Sequence, residues 1–219
     1  MDKKPKKFEK YISTTAKQSG VVFTGKILGY LLGFIVSFII AKYYNAKIMG
    51  QYSLVQTVLN MVMIFTVFGI DKGLVKYIPR YNKKKDKDNL FKVIKISVIY
   101  GFIFSLIGAL LIFLFKGVIS YKIFNDPELF NALKFGAWII IPLTLIQVFG
   151  GLFRGFKKLS PFIISKNILL KLFFIIFILL NVIIFKKGIN NILIFYLKSH
   201  ILAFLYLYHN KKNLPINLF

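Results

Sequence analysis

The chain has 219 residues, of which 57% are hydrophobic and 17% aromatic, and it carries a formal net charge of +24. A soluble domain of that composition would expose large apolar patches, so the numbers exclude one and call for lipid to cover the apolar runs, with the basic residues gathered between them. With no cysteine, disulfide and thiolate chemistry is excluded, and two histidines and seven acidic residues leave little for a metal cage or a carboxylate active site.

A crossing takes about 20 mostly apolar residues. Six segments meet that requirement: 20–41, 52–70, 93–115, 135–153, 161–185 and 189–209. The expected fold is an all-α integral membrane protein, a bundle of about six transmembrane helices spanning residues 20–209. Residues 1–19 read as a basic tail, and 210–219 as a second tail where a longer chain is expected to have been truncated. The longest connection, 71–92, reads as a loop and is too short for a soluble domain. The first span is basic and then apolar, like a signal peptide. Its apolar run is too long for that role and no small-x-small site closes it, so it reads as a retained anchor.

Lysine and arginine placement sets the direction. Nineteen lie in the tails, the 71–92 connection and the 154–160 turn, against seven on the other side of the spans. This imbalance puts both ends in the cytoplasm of a cell (plasma or inner) membrane. Because the basic stretches alternate with spans, the same rule explains them better than nucleic-acid binding does.

On the first helix, Gly25, Gly29, Gly33, Ser37 and Lys26 fall within one arc of about 120°. Small residues admit a neighbouring helix, so this arc faces protein. The second helix carries Gln56 and Asn60, with Asp71 expected on the same side. Such amides either hydrogen-bond another helix or meet sugar hydroxyls. The third has a small-residue stripe (Ser97, Gly101, Ser105, Gly108, Ala109) suited to packing, and the fourth has Pro142 as a bend point.

The fifth and sixth helices hold Lys171 and Lys198 far from either interface. A lysine at the bilayer centre costs about 2.5–3.5 kcal/mol, so it normally faces a wet cavity or a partner. Lys26 and Lys166 lie nearer the cytoplasmic ends, where snorkelling is an alternative. The spans offer almost no carboxylate, Asp71 at a boundary being the nearest. Two readings stay open: an anionic ligand supplies the counter-charge, or a water-filled cavity tolerates the lysines. His200 and His209 have no acidic neighbour in sequence and receive no catalytic role.

The stretch "GVVFTGKILGYLLGFIVSFIIAKYYNAKIMGQYSLVQTVLNMVMIFTVFGIDKGLVKYIPRYNKKKD" (20–86) resembles the opening of the polysaccharide (O-antigen type) flippases of the multidrug/oligosaccharidyl-lipid/polysaccharide exporter superfamily. It includes a G-x-Y-S-type turn at Gly50, Tyr52 and Ser53. "GGLFRGFKKLSPF" (150–162) is similar to that family's turn between helices 4 and 5. The resemblance covers the N-terminal half of such a protein, one lobe of two. It implies a transporter that moves a polyprenyl-pyrophosphate-linked oligosaccharide between leaflets, alternating access by rocking the lobes. The pyrophosphate would then meet Lys26, Lys166, Lys171 and Lys198, with Arg154 at the inner mouth, while Gln56, Asn60 and Asn167 line the sugar route. The partners implied are that glycan lipid, the membrane, and a second lobe or a second copy. No cofactor is implied, and no residue identifies a coupling ion. The alternatives are a drug exporter of the same superfamily, which would want cavity carboxylates, and a non-functional remnant. An enzyme would have to build on Asp71, Asp86 and Asp88, of which the last two sit among lysines in "NKKKDKDN" and read as solvated.

Overall fold

A computed structural model describes residues 4–184 and 188–215. Residues 1–3, 185–187 and 216–219, which include the ends of both expected tails and Lys186 and Lys187, lie outside the described residues.

Six of the described helical segments are long and apolar enough to cross a membrane: Gln18–Tyr44, Ala46–Val67, Lys87–Ile123, Leu129–Gly155, Ser160–Ile183 and Ile189–Asn213. Six crossings leave the two ends on the same side, called here the terminal side. The first segment belongs to α1 (Lys4–Tyr44), whose 41 residues make about 60 Å of helix, twice a hydrocarbon core. Its charged beginning therefore stands outside the membrane. Asn45 ends α1 and caps α2 (Ala46–Val67), its side chain accepting the Ile48 N–H at 2.9 Å.

At the other end of α2 the chain reverses through two left-handed residues, Phe68 (φ 40°) and Gly69 (φ 76°). This turn launches α3 (Ile70–Lys84). Here the structure corrects the expected loop at 71–92: its first two thirds are an amphipathic helix. Asp71, Leu74 and Ile78 are buried on one face, and Lys72, Lys76 and Arg80 are exposed on the other. A basic amphipathic helix of this kind suits the membrane interface. Asp71 thus opens α3 and does not continue the polar side of α2. Asp86 caps α4 (Lys87–Gly117) by accepting the Asn89 N–H at 3.1 Å, and its hydrogen bonds from Asn89 hold its carboxyl below the usual carboxylate range.

A π-helical turn, Val118–Ile123, ends α4. The fourth crossing is made of α5 (Leu129–Gly136), a 3-10 turn (Ala137–Ile139) and α6 (Ile140–Gly155). Pro142 has no N–H to offer the carbonyl four residues back, and the tightened turn falls where that bond is missing. The fifth crossing joins α7 (Ser160–Ile163), a second π turn (Ile164–Leu169) and α8 (Leu170–Ile184), and the sixth is α9 (Ile189–His209).

Lipid is as apolar as leucine, so close approach and polar contacts hold these helices together. The α1 glycines accomplish the approach. Gly25 lies against Ile163, a Cβ on Gly29 would come within 3.0 Å of Asn167 Cβ, and one on Gly33 within 2.9 Å of the Lys171 ammonium. Stripes of period four on two helices therefore interlock. The small-residue stripe of α4 packs likewise: Gly101 against Val148, and Gly108 against Thr66 and Val62. Buried hydroxyls and amides bond across helices, Thr66 to Thr144 at 2.7 Å and Tyr44 to Asn181 at 2.6 Å.

Apolar packing forms two clusters. One, with Ile40, Val55, Ile112, Ile139 and Phe174, fills the half away from the termini, and the other, with Leu74, Ile94, Leu152 and Phe153, fills the terminal half. On the far side Lys47 donates to Glu128 at 2.7 Å, and this bond, joined by one from Gln51, holds the Glu128 carboxyl below its ordinary range. A depressed carboxyl stabilises the fold above that range and loses the contribution as pH falls. Both partners are well exposed, so the tie adds little.

Candidate functional site

Between the two clusters a cavity of about 340 Å³ opens among α1, α2, α8 and α9. One side of α1 supplies small residues, Gly33 and Ser37, where larger ones would fill the space. From α8, Lys171 enters beside them and donates to the carbonyl oxygen of Gly29. Among the described residues it has no carboxylate partner. α2 contributes Tyr52, Ser53 and Gln56 at helical spacing, so all three face the same side.

Rings form the floor. Tyr52 stacks on Phe174 with centroids 5.7 Å apart, and Tyr196 of α9 meets Phe174 at 4.8 Å and Tyr52 at 5.5 Å. Gln56 ties the phenols together, its amide donating to the Tyr52 hydroxyl at 2.5 Å and to the Tyr196 hydroxyl at 3.2 Å. Behind Tyr196, one helical turn on, His200 is buried with its ring edge-on at 4.3 Å and its Nδ1 2.8 Å from the Tyr196 carbonyl oxygen. His200 thus packs against the Tyr196 ring while its own ring bonds the helix backbone. The sequence signal was its spacing of four, and no charge neighbour was needed. Tyr30 stands at the lip, 74% exposed.

The cavity offers one cation, one amide, several hydroxyls and apolar ring faces, with no carboxylate in its lining. Such a lining suits an anion with a polyhydroxylated group attached. The anion meets the ammonium, hydroxyls meet the amide and phenols, and ring faces cover the apolar side of a sugar.

A second polar cluster lies toward the terminal side. Arg154 donates from Nη2 to Asp71 at 2.8 Å and from Nε to the Gly150 carbonyl at 3.1 Å. Lys166 donates to Gln147 at 2.9 Å. Both cations approach the Phe162 ring, at 5.5 and 5.7 Å from its centroid. Gly151 allows this, because a Cβ there would lie 2.6 Å from the Asp71 Cα, so α3 sits directly on α6. Asp71→Asn is expected to destabilise the fold by about 2–4 kcal/mol by leaving Arg154 half-buried without its anion. Asp71→Asn with Arg154→Gln should recover part of that loss. Thermal unfolding of the unaltered chain, Asp71→Asn, Arg154→Gln and the double variant completes a double-mutant cycle that measures the coupling.

The structure therefore separates the residues proposed from sequence. Lys171 and Gln56 share the cavity. Asn167 lies at the α1 contact, where a Cβ added to Gly29 would come within 3.2 Å of its backbone carbonyl oxygen. Lys166, five residues before Lys171 and within the π turn, faces α6 instead. Arg154, expected at the inner mouth, is engaged there by Asp71, the carboxylate nearest the spans. Lys26 is exposed and lines a separate shallow groove with Gln18, Val22 and Leu159. Lys198 is exposed over the Phe195 ring at 5.2 Å, and Asn60 is exposed one turn beyond Gln56; neither lines the cavity. The rings of Tyr52, Phe174 and Tyr196 were missed, because aromatic residues are common in every span and nothing in sequence marks these three as neighbours.

A family model described as polysaccharide biosynthesis protein matches residues 15–214, from within α1 to just past the last described helical turn. The chain belongs to the polysaccharide biosynthesis protein family. No curated protein and no solved structure matches it. Family membership and six membrane-length helices make this a multi-pass membrane protein with a role in polysaccharide synthesis or transport.

Proposed function

We propose that this polysaccharide biosynthesis family protein is a transporter, not an enzyme, and that it moves a polyprenyl-pyrophosphate-linked oligosaccharide from the inner to the outer leaflet. The observation that carries this reading is Lys171: a cation in mid-membrane, among hydroxyls and aromatic rings, which donates to a backbone carbonyl and has no carboxylate partner among the described residues. Its counter-charge comes with the ligand. The pyrophosphate meets Lys171 as a point charge, and the first sugars lie on the Tyr52, Phe174 and Tyr196 rings with Gln56 reading their hydroxyls. The isoprenoid tail stays in lipid.

The excess of basic residues on the terminal side, continued by the exposed face of α3, supports a cytoplasmic location for both ends. The cavity opens to one flank of the bundle, and a second lobe or a second copy facing α1 and α2 would close it. Such a pair gives the two halves that alternating access requires. The drug-exporter reading is less well supported, since Asp71, the carboxylate nearest the spans' interior, is already paired with Arg154.

The test is transbilayer movement. Vesicles containing the full chain and a fluorescent pyrophosphate-linked oligosaccharide on a polyprenyl carrier should lose inner-leaflet label faster than empty vesicles. A polyprenyl alcohol without pyrophosphate or sugar should move no faster than in empty vesicles. Equal rates for the glycan lipid with and without protein would contradict the reading.

A further inference from the structure

On the half of the bundle away from the termini, α4 and the α5–α6 crossing leave a groove of about 300 Å³ between them. Its walls, Leu106, Ala109, Leu110, Phe113, Ala137 and Trp138, are all apolar, and Leu110 and Trp138 are each 56% exposed. This groove lies outside the cavity described above and shares no residue with it. By itself an apolar groove in lipid is unremarkable; what distinguishes this one is the charge at its rim. Three residues beyond Phe113, Lys116 holds its ammonium 3.5 Å from the centre of the Phe113 ring and 4.9 Å from that of Phe130. On the facing helix, Lys134 is exposed four residues before Trp138, hence one turn above it on about the same face. Two cations therefore stand over the same end of one greasy groove. The nearby carboxylates do not answer them: Glu128 is taken by Lys47 and Gln51, and Asp126 by Gln51.

We propose that this groove is a binding site for an anionic diacyl phospholipid of the surrounding membrane. One acyl chain lies along Leu106, Leu110 and Phe113 against Trp138, and the phosphate sits between Lys116 and Lys134. The site is independent of the transported lipid.

The groove contains its own reporter, because Trp138 is the only tryptophan in the chain. Bromine on an acyl chain quenches indole fluorescence on contact. The full chain is placed in phosphatidylcholine vesicles in which a small, equal fraction of lipid is brominated, either phosphatidylglycerol or phosphatidylcholine. Quenching should report about tenfold enrichment of the anionic lipid at the groove, the effect of about 1.4 kcal/mol from two cations near a phosphate. Raising the salt to about 1 M should erase most of the preference, since exposed charges are then screened within about 3 Å. Lys116→Gln with Lys134→Gln should bring the two quenching curves together, while Lys122→Gln leaves the preference intact. Equal quenching by the two lipids in the unaltered chain would overturn the site, as would a preference that survives high salt or the double substitution. Stronger displacement of brominated phosphatidylglycerol by a polyprenyl phosphate than by unlabelled phosphatidylglycerol would overturn the choice of occupant and give the groove to an isoprenoid chain.

Discussion

Replacing Lys171 by methionine is expected to weaken binding of a pyrophosphate-linked glycan by about 10- to 150-fold, corresponding to about 1.5–3 kcal/mol for a lost hydrogen bond to a charged group. Methionine keeps the length of the side chain and its apolar stem, so α8 should still pack on α1. Among the described residues the ammonium it removes donates to the Gly29 carbonyl, and the glycine at 33 leaves room beside it. Lys26→Met and Lys198→Met provide the contrast. Both lysines are exposed outside the cavity, and each substitution should change binding by less than about threefold, the range of a weakly coupled surface charge. Titration calorimetry of the three variants in detergent separates a local site from a diffuse basic surface. Similar losses in all three would mean that net charge, and not the cavity, attracts the ligand.

The largest structural effect is expected from Gly151→Ala. A Cβ at 151 would lie 2.6 Å from the Asp71 Cα and 2.7 Å from its carbonyl oxygen, and both are backbone atoms that no rotamer change can move. α3 must lift from α6, which pulls Asp71 from Arg154 and uncovers Leu74 and Ile78. Overpacking of this kind costs about 1–3 kcal/mol, and the broken ion pair adds to it. Thermal unfolding should show a clear fall for Gly151→Ala and none for Gly20→Ala, where nothing lies within 4 Å of the added carbon. Hydrogen exchange in α3 should rise first, since α3 is the element that loses its seat.

These two positions also show how far the sequence could be read. The six crossings were legible because about 20 apolar residues admit few alternatives in a bilayer. The α1 stripe was legible as well, since glycines four apart can only line one side of a helix, and the structure shows Ile163, Asn167 and Lys171 as its neighbours. The helical wheel gives direction about one axis but never names the helix opposite. That is why Lys198 could be expected near Lys171 and lies instead on the outside of α9.

Residues 71–92 looked like a loop because eleven of their positions are charged, and that density outweighed the spacing of Leu74 and Ile78. The Asp71–Arg154 pair was out of reach for a different reason: 83 residues separate the partners. Only the packing of α3 on Gly151 and Gly155 brings them together. The π turn at Ile164–Leu169, which carries Lys166, has no composition that marks it.

The cavity among α1, α2, α8 and α9 is proposed to receive a pyrophosphate-linked sugar. The most direct measurement is photocrosslinking of the full chain in vesicles by a lipid-linked oligosaccharide carrying a photoactivatable group on its first sugar, with adducts mapped by mass spectrometry. Adducts are expected on Tyr30, Tyr52 and Tyr196, and they should disappear with excess unlabelled glycan lipid and in Lys171→Met. Competable adducts found only outside α1, α2, α8 and α9 would contradict this proposal.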